Sequence, residues 1–61
     1  MSIYRERLID RMIHLFGYED PTVISFARIC EKATNDLYTN KLLTDWVELL
    51  EKEEKKHLTN E

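Results

Sequence analysis

Apolar side chains recur along this chain at three- and four-residue intervals, in three blocks separated by two short polar breaks. At about 100° per residue, Tyr4, Leu8, Ile9, Met12, Ile13, Leu15 and Phe16 share one broad face of a first helix. Arg7, Asp10, Arg11 and His14 share the opposite face. In the second block Val23, Phe26, Ala27, Cys30 and Ala33 form a tight stripe, with Ile24 and Ile29 on its two flanks. Its apolar arc covers more than half of the helix. A helix of that kind is buried on more than one side, as the centre of a bundle or in a contact between subunits. The third block carries Leu42, Leu43, Trp46, Val47, Leu49 and Leu50, and the stripe then stops.

The breaks are marked by residues that end and start helices. Gly17 follows the first block and is suited to the left-handed conformation just past a helix end. Asp20 then serves as N-cap, with Pro21 at the first helical position, where its missing N–H costs nothing. The second break runs from Thr34 to Asn40. Thr39 is the expected N-cap there, which places Tyr38 and Leu43 at the positions of a hydrophobic staple. The pattern predicts helices over about 3–16, 21–35 and 40–57. Beyond Leu50 the chain consists of helix formers, with Glu48–Lys52 and Glu51–Lys55 at i,i+4 spacing. Lys55, Lys56 and His57 suit the negative end of a helix dipole. The third helix should therefore outrun its core contacts by about 12 Å. The order of residues 51–61 is left open by the pattern.

Length sharpens this picture. Sixty-one residues make one helical domain, 1–61. A chain this short buries only about 60% of its unfolded surface, so it gains from a staple or a partner. Cys30 is the only cysteine, which excludes an internal disulfide. With His14 and His57 it makes too few ligands for a structural zinc. The fold class is thus all-α, a compact three-helix bundle completed by homodimerisation. Ile24, Ile29, Phe26, Leu42, Trp46 and Leu49 are the candidate interface residues.

Charge and chemistry narrow the function. The net charge is −3, from 9 basic and 12 acidic side chains, with no general attraction to nucleic acid or anionic lipid. No apolar run approaches the 18 or so residues of a membrane span. The amphipathic, charged start is not that of a secretory signal, so a cytoplasmic location is expected. Cys30 has apolar neighbours on its face and reads as core, not nucleophile. His14 stands four residues after Asp10, a spacing that permits a pair, but nothing nearby completes a catalytic or metal set. Glu51, Glu53 and Glu54 alternate with lysines on a solvated face. One glycine cannot build a phosphate loop. Trp46 is the expected core anchor, with Tyr18 and Tyr38 closing the bundle ends.

These residues point to a non-enzymatic interaction or accessory protein. Neither cofactor nor metal is expected, and its partners would be a second copy of itself or another protein. The alternative is a nucleic-acid-associated regulator. It would use a weak basic face on the first helix, Arg7, Arg11 and His14, with Arg5 nearby.

Overall fold

The computed structural model describes residues 2–59, with side chains through Glu54. Helix α1 spans Ile3–Phe16, α2 Pro21–Lys32 and α3 Leu37–Thr59. The all-helical three-helix bundle is the expected one, and of the two alternatives for α2 the central position is excluded. It is α1 that packs against both neighbours, while α2 and α3 meet each other more sparingly. The nearly girdled α2 thus keeps apolar side chains that the bundle does not cover.

The core takes Leu8 and Met12 from α1, Val23, Phe26 and Cys30 from α2, and Leu43 and Val47 from α3. Ile9, Ile13, Leu15, Phe16, Trp46 and Leu50 pack around it. Phe26 and Trp46 meet edge to face, with ring centroids 5.1 Å apart and planes at 74°. That geometry aligns ring edge with ring face and adds about 0.5–1.5 kcal/mol to area burial.

Each helix start is capped by a side chain. Ser2 Oγ accepts from the Arg5 backbone N–H at 3.2 Å, and Asp20 Oδ1 accepts from Thr22 N–H at 2.8 Å. Pro21 follows Asp20 as expected. At the end of α1, Gly17 donates its N–H to Ile13 O at 2.7 Å. Its φ of 95° is positive, but ψ is 147°, so the chain turns sharply outward and not into a left-handed helical cap. A Cβ at Gly17 would meet nothing within 4 Å, so the requirement for glycine is conformational, not steric.

The second break differs from its expected form. α2 stops at Lys32 and not near 35, and α3 begins at Leu37 and not at 40. The cap is Asp36, whose Oδ1 accepts from Thr39 N–H at 2.7 Å and whose carbonyl accepts from Asn40 N–H at 2.9 Å. A carboxylate is the better N-cap, and it displaces Thr39 into the first turn. The staple positions then fall on Asn35 and Asn40. Asn40 Nδ2 donates to Asn35 Oδ1 at 3.1 Å, a polar bond where an apolar contact of Tyr38 with Leu43 was expected. Tyr38 and Tyr18 are both exposed and do not close the bundle ends.

α3 does run on past Leu50, its last core-packed aliphatic side chain among the described residues. Its 23 residues span about 34 Å of the 39 Å longest dimension. The i,i+4 ion pair among the described residues is Lys41 Nζ with Asp45 Oδ2, at 3.0 Å, and not the expected Glu48 with Lys52. The expected Glu51–Lys55 pair, and the helix-end roles of Lys55, Lys56 and His57, lie outside the described residues.

Candidate functional site

The most constrained polar group in the fold is Arg5, which the periodicity left unassigned to a face. Its position sits three and seven residues before Leu8 and Met12, in the middle of the buried arc of α1. The residue is 2% exposed. Its guanidinium gathers carbonyls from the last turn of α2 and the two residues beyond it: Nη1 donates to Cys30 O at 2.6 Å and to Ala33 O at 2.8 Å, and Nη2 donates to Thr34 O. Nε donates to Asn40 Oδ1 at 2.8 Å, on the first turn of α3. One side chain thus joins all three helices. It also explains how α2 ends without a glycine. Ile29 O takes the Ala33 N–H, Cys30 O and the first two carbonyls past the helix take the guanidinium, and the cation also suits the negative end of the helix dipole. No buried side-chain nitrogen or oxygen among the described residues lacks a partner.

Along the α1–α3 seam two further polar contacts align. Tyr4 hydroxyl bonds Thr44 Oγ1, which itself donates to Asn40 O at 2.8 Å. Arg11 and Glu51 form a two-pronged pair, Nε to Oε2 at 3.0 Å and Nη2 to Oε1 at 2.6 Å. The paired guanidinium holds the Glu51 carboxyl below the usual glutamate range, and Glu51 in turn raises Arg11. Glu51 is therefore a bundle contact and not part of a solvated acidic cluster.

The candidate basic face is divided by these contacts. Arg5 is buried, Arg11 is paired, and Arg7 is exposed. The ring Nδ1 of His14 lies 3.2 Å from the backbone carbonyl of Asp10, so the Asp–His pair expected from spacing runs through the main chain. Cys30 lies in the core, and burial pushes its thiol up against a smaller opposing effect of the Arg5 charge. No group of three or more His, Cys, Asp or Glu side chains among the described residues converges on a metal position.

The candidate interface residues also divide. Phe26 is fully buried and contributes no surface, and Trp46 is partly buried against it. Ile24, Ile29, Leu42 and Leu49 are 45%, 42%, 51% and 58% exposed. They do not form one face. At about 100° per residue, Ile24 lies on the flank of α2 with Glu31, the side that borders Arg5 and α1. Ile29 lies on the other flank, turned toward α3, where Trp46, Leu42 and Leu49 form the facing side. Between the ridges Arg28–Lys32 and Ile29–Ala33, α2 carries a shallow, almost wholly apolar depression of about 330 Å³. A larger open cleft of about 510 Å³ lies on the α1–α3 side, bordered by Tyr4, Asn40, Thr44 and the Lys41–Asp45 pair.

Two of these assignments were legible in principle. A charged residue at the centre of an apolar arc, as Arg5 is, signals a buried polar contact, and a helix with no C-terminal glycine signals another source of caps. Asn40 carried no such signal, because its role depends on where α3 begins.

No family model, curated protein or solved structure matches the chain. No helix among the described residues is long and apolar enough to cross a membrane.

Proposed function

We propose that this chain is a small, cytoplasmic, non-enzymatic accessory protein that acts through protein–protein contact, and that it assembles as a homodimer. The observation that carries the reading is the apolar surface left on α2 and α3. Ile29, Leu42 and Leu49 stand about half exposed on the side of the bundle that α1 does not cover. Large aliphatic groups grouped on one side of a small domain favour burial against a partner. A core of seven buried side chains among the described residues is also small, and a second copy would enlarge it. Every buried side-chain polar atom among the described residues has a partner within the bundle, so these groups serve the fold. The nucleic-acid alternative is weakened by the burial of Arg5 and the pairing of Arg11, since a phosphate contact would have to displace their present partners.

Sedimentation equilibrium at micromolar concentration tests the proposal. A species of twice the 7.4 kDa chain mass is expected. Ile29→Glu should shift it to monomer, and Arg7→Glu on the outer face of α1 should not. A stably folded monomer across the whole concentration range would overturn the self-association reading.

A further inference from the structure

The same surface carries a more specific arrangement, one that presupposes the dimer proposed for this chain. The depression on α2 is an apolar hollow with two cations on its rim, Arg28 and Lys32. Both are exposed, and neither takes part in an ion pair among the described residues. α2 and α3 border a groove on the side that α1 does not cover; from its α3 wall Leu42 projects half exposed, and Asp45 stands three residues further on, at the outer edge of that wall, where it also borders the α1–α3 cleft. Asp45 is held by Lys41, but that pair is open to solvent and leaves carboxylate lone pairs free. One wall of the groove therefore offers a hollow with a basic rim. The other offers an apolar knob with an acidic neighbour.

The heights of these features match. α1 and α3 run parallel, since Tyr4 meets Thr44 and Arg11 meets Glu51, while Arg5 at the start of α1 meets the end of α2; α2 therefore runs antiparallel to α3, and the Phe26–Trp46 ring contact sets their relative height. Side chains on the two helices whose residue numbers total about 72 therefore reach the same level. Leu42 stands at the level of residue 30, the middle of the hollow. Asp45 stands at the level of Ala27 and Arg28. Within one molecule the hollow and the knob lie on neighbouring walls and cannot meet. A two-fold axis parallel to the helices, lying over the groove, preserves heights and exchanges the walls. It sets α2 of one copy against α3 of the other.

The geometry points to a two-fold dimer in which Leu42 of each copy fills the Arg28–Ile29–Lys32–Ala33 hollow of the other and Asp45 pairs with Arg28 across the interface. The contact is isologous, as closure of a dimer requires, and it occurs twice. Rotation about an axis across the helices would instead place α2 on α2, with Arg28 and Lys32 facing their own copies. Like charges facing each other disfavour that arrangement.

A charge exchange tests this. Arg28→Glu puts two carboxylates at each contact, and Asp45→Arg puts two guanidiniums there. Both sites are exposed, so the variants should keep the wild-type helical circular dichroism. Each alone should weaken self-association about tenfold or more, with two contacts affected per dimer. Mixed one to one, the two variants should form a heterodimer. Each contact then joins a carboxylate of the Arg28→Glu chain to a guanidinium of the Asp45→Arg chain. Wild-type dimerisation should weaken with added salt.

The outcomes separate the two claims. If both variants dimerise as well as wild type, or if both are monomers that fail to combine, the arrangement is overturned while self-association stands. If wild type is itself monomeric, both fall. Recovery in the mixture and not in either variant alone establishes the Arg28–Asp45 contact.

Discussion

Arg5 and Asn40 stand thirty-five residues apart in the chain, and Arg5 Nε donates to Asn40 Oδ1 at 2.8 Å. This bond ties the first helix of the bundle to the first turn of the third. The remaining guanidinium donors hold the carbonyls of Cys30, Ala33 and Thr34. Arg5 therefore acts as a C-terminal cap for α2 supplied from another helix. Its charge is stabilised by carbonyl dipoles, with no ion pair among the described residues.

Arg5→Met should be the most damaging single substitution at a polar position. It keeps apolar bulk but leaves several carbonyls without donors, at a cost of about 2–4 kcal/mol. A domain of this size has only about 3–5 kcal/mol in total, so the variant should keep only about 1 kcal/mol and be measurably unfolded at 25 °C. Arg5→Lys keeps the charge but loses the planar fork, and its stability should fall between wild type and Arg5→Met. Urea denaturation followed by circular dichroism measures all three. Wild-type stability in Arg5→Met would show that water can replace the clasp.

The position of the α3 cap gives a sharp contrast. Asp36→Ala should lower the unfolding temperature measurably, because it removes the N-cap. Thr39→Ala should cost less, since Thr39 is the recipient of the cap and lies within the first turn. Thermal unfolding of the two variants decides it, and the reverse order would place the cap at Thr39.

Two carboxylates should make the fold acid-sensitive. Arg11 holds Glu51 below its ordinary value, and the hydrogen bonds from Thr39 do the same for Asp36. A carboxylate depressed in the folded state adds stability that is complete above its unfolded pKa, about 4 for both residue types. That contribution is lost as pH falls through the lower folded values. The urea midpoint should therefore drop below about pH 4, and Glu51→Gln should flatten part of that slope. An unchanged slope in Glu51→Gln would mean that the Arg11 pair adds nothing measurable in solution.

At the alkaline end the relevant group is Cys30, whose thiol is raised by burial. Its contribution is complete below the ordinary thiol pKa and is lost as pH rises through the folded value, because the thiolate is favoured by the unfolded chain. Stability should decline above about pH 8.5, and Cys30→Ala should remove that part of the slope, whatever its effect on the absolute level. A disulfide reagent should label Cys30 at the rate of transient opening, so that urea accelerates it. Rapid labelling in native buffer would contradict the burial.

Local physics determined much of this protein without reference to its fold. Asp20–Pro21 and Gly17 mark the first break because N-capping and positive φ are properties of a few residues in sequence. The faces of Leu8–Met12 and Val23–Phe26–Cys30 follow from helical periodicity alone, and they form the core. The length of α3 follows from its run of helix formers. Tertiary structure decided the rest, because it depended on groups distant in sequence. Where α2 stops depends on a guanidinium from α1. Where α3 starts depends on a choice between Asp36 and Thr39, which local propensity ranks only weakly and which Arg5 helps to settle by engaging Asn40. Arg11, which periodicity counted in a basic face, is consumed by its contact with Glu51, and Arg5, which stood near that face, by carbonyls across the bundle. A one-dimensional pattern records which side of a helix a residue occupies. What that side meets is fixed only when the helices pack.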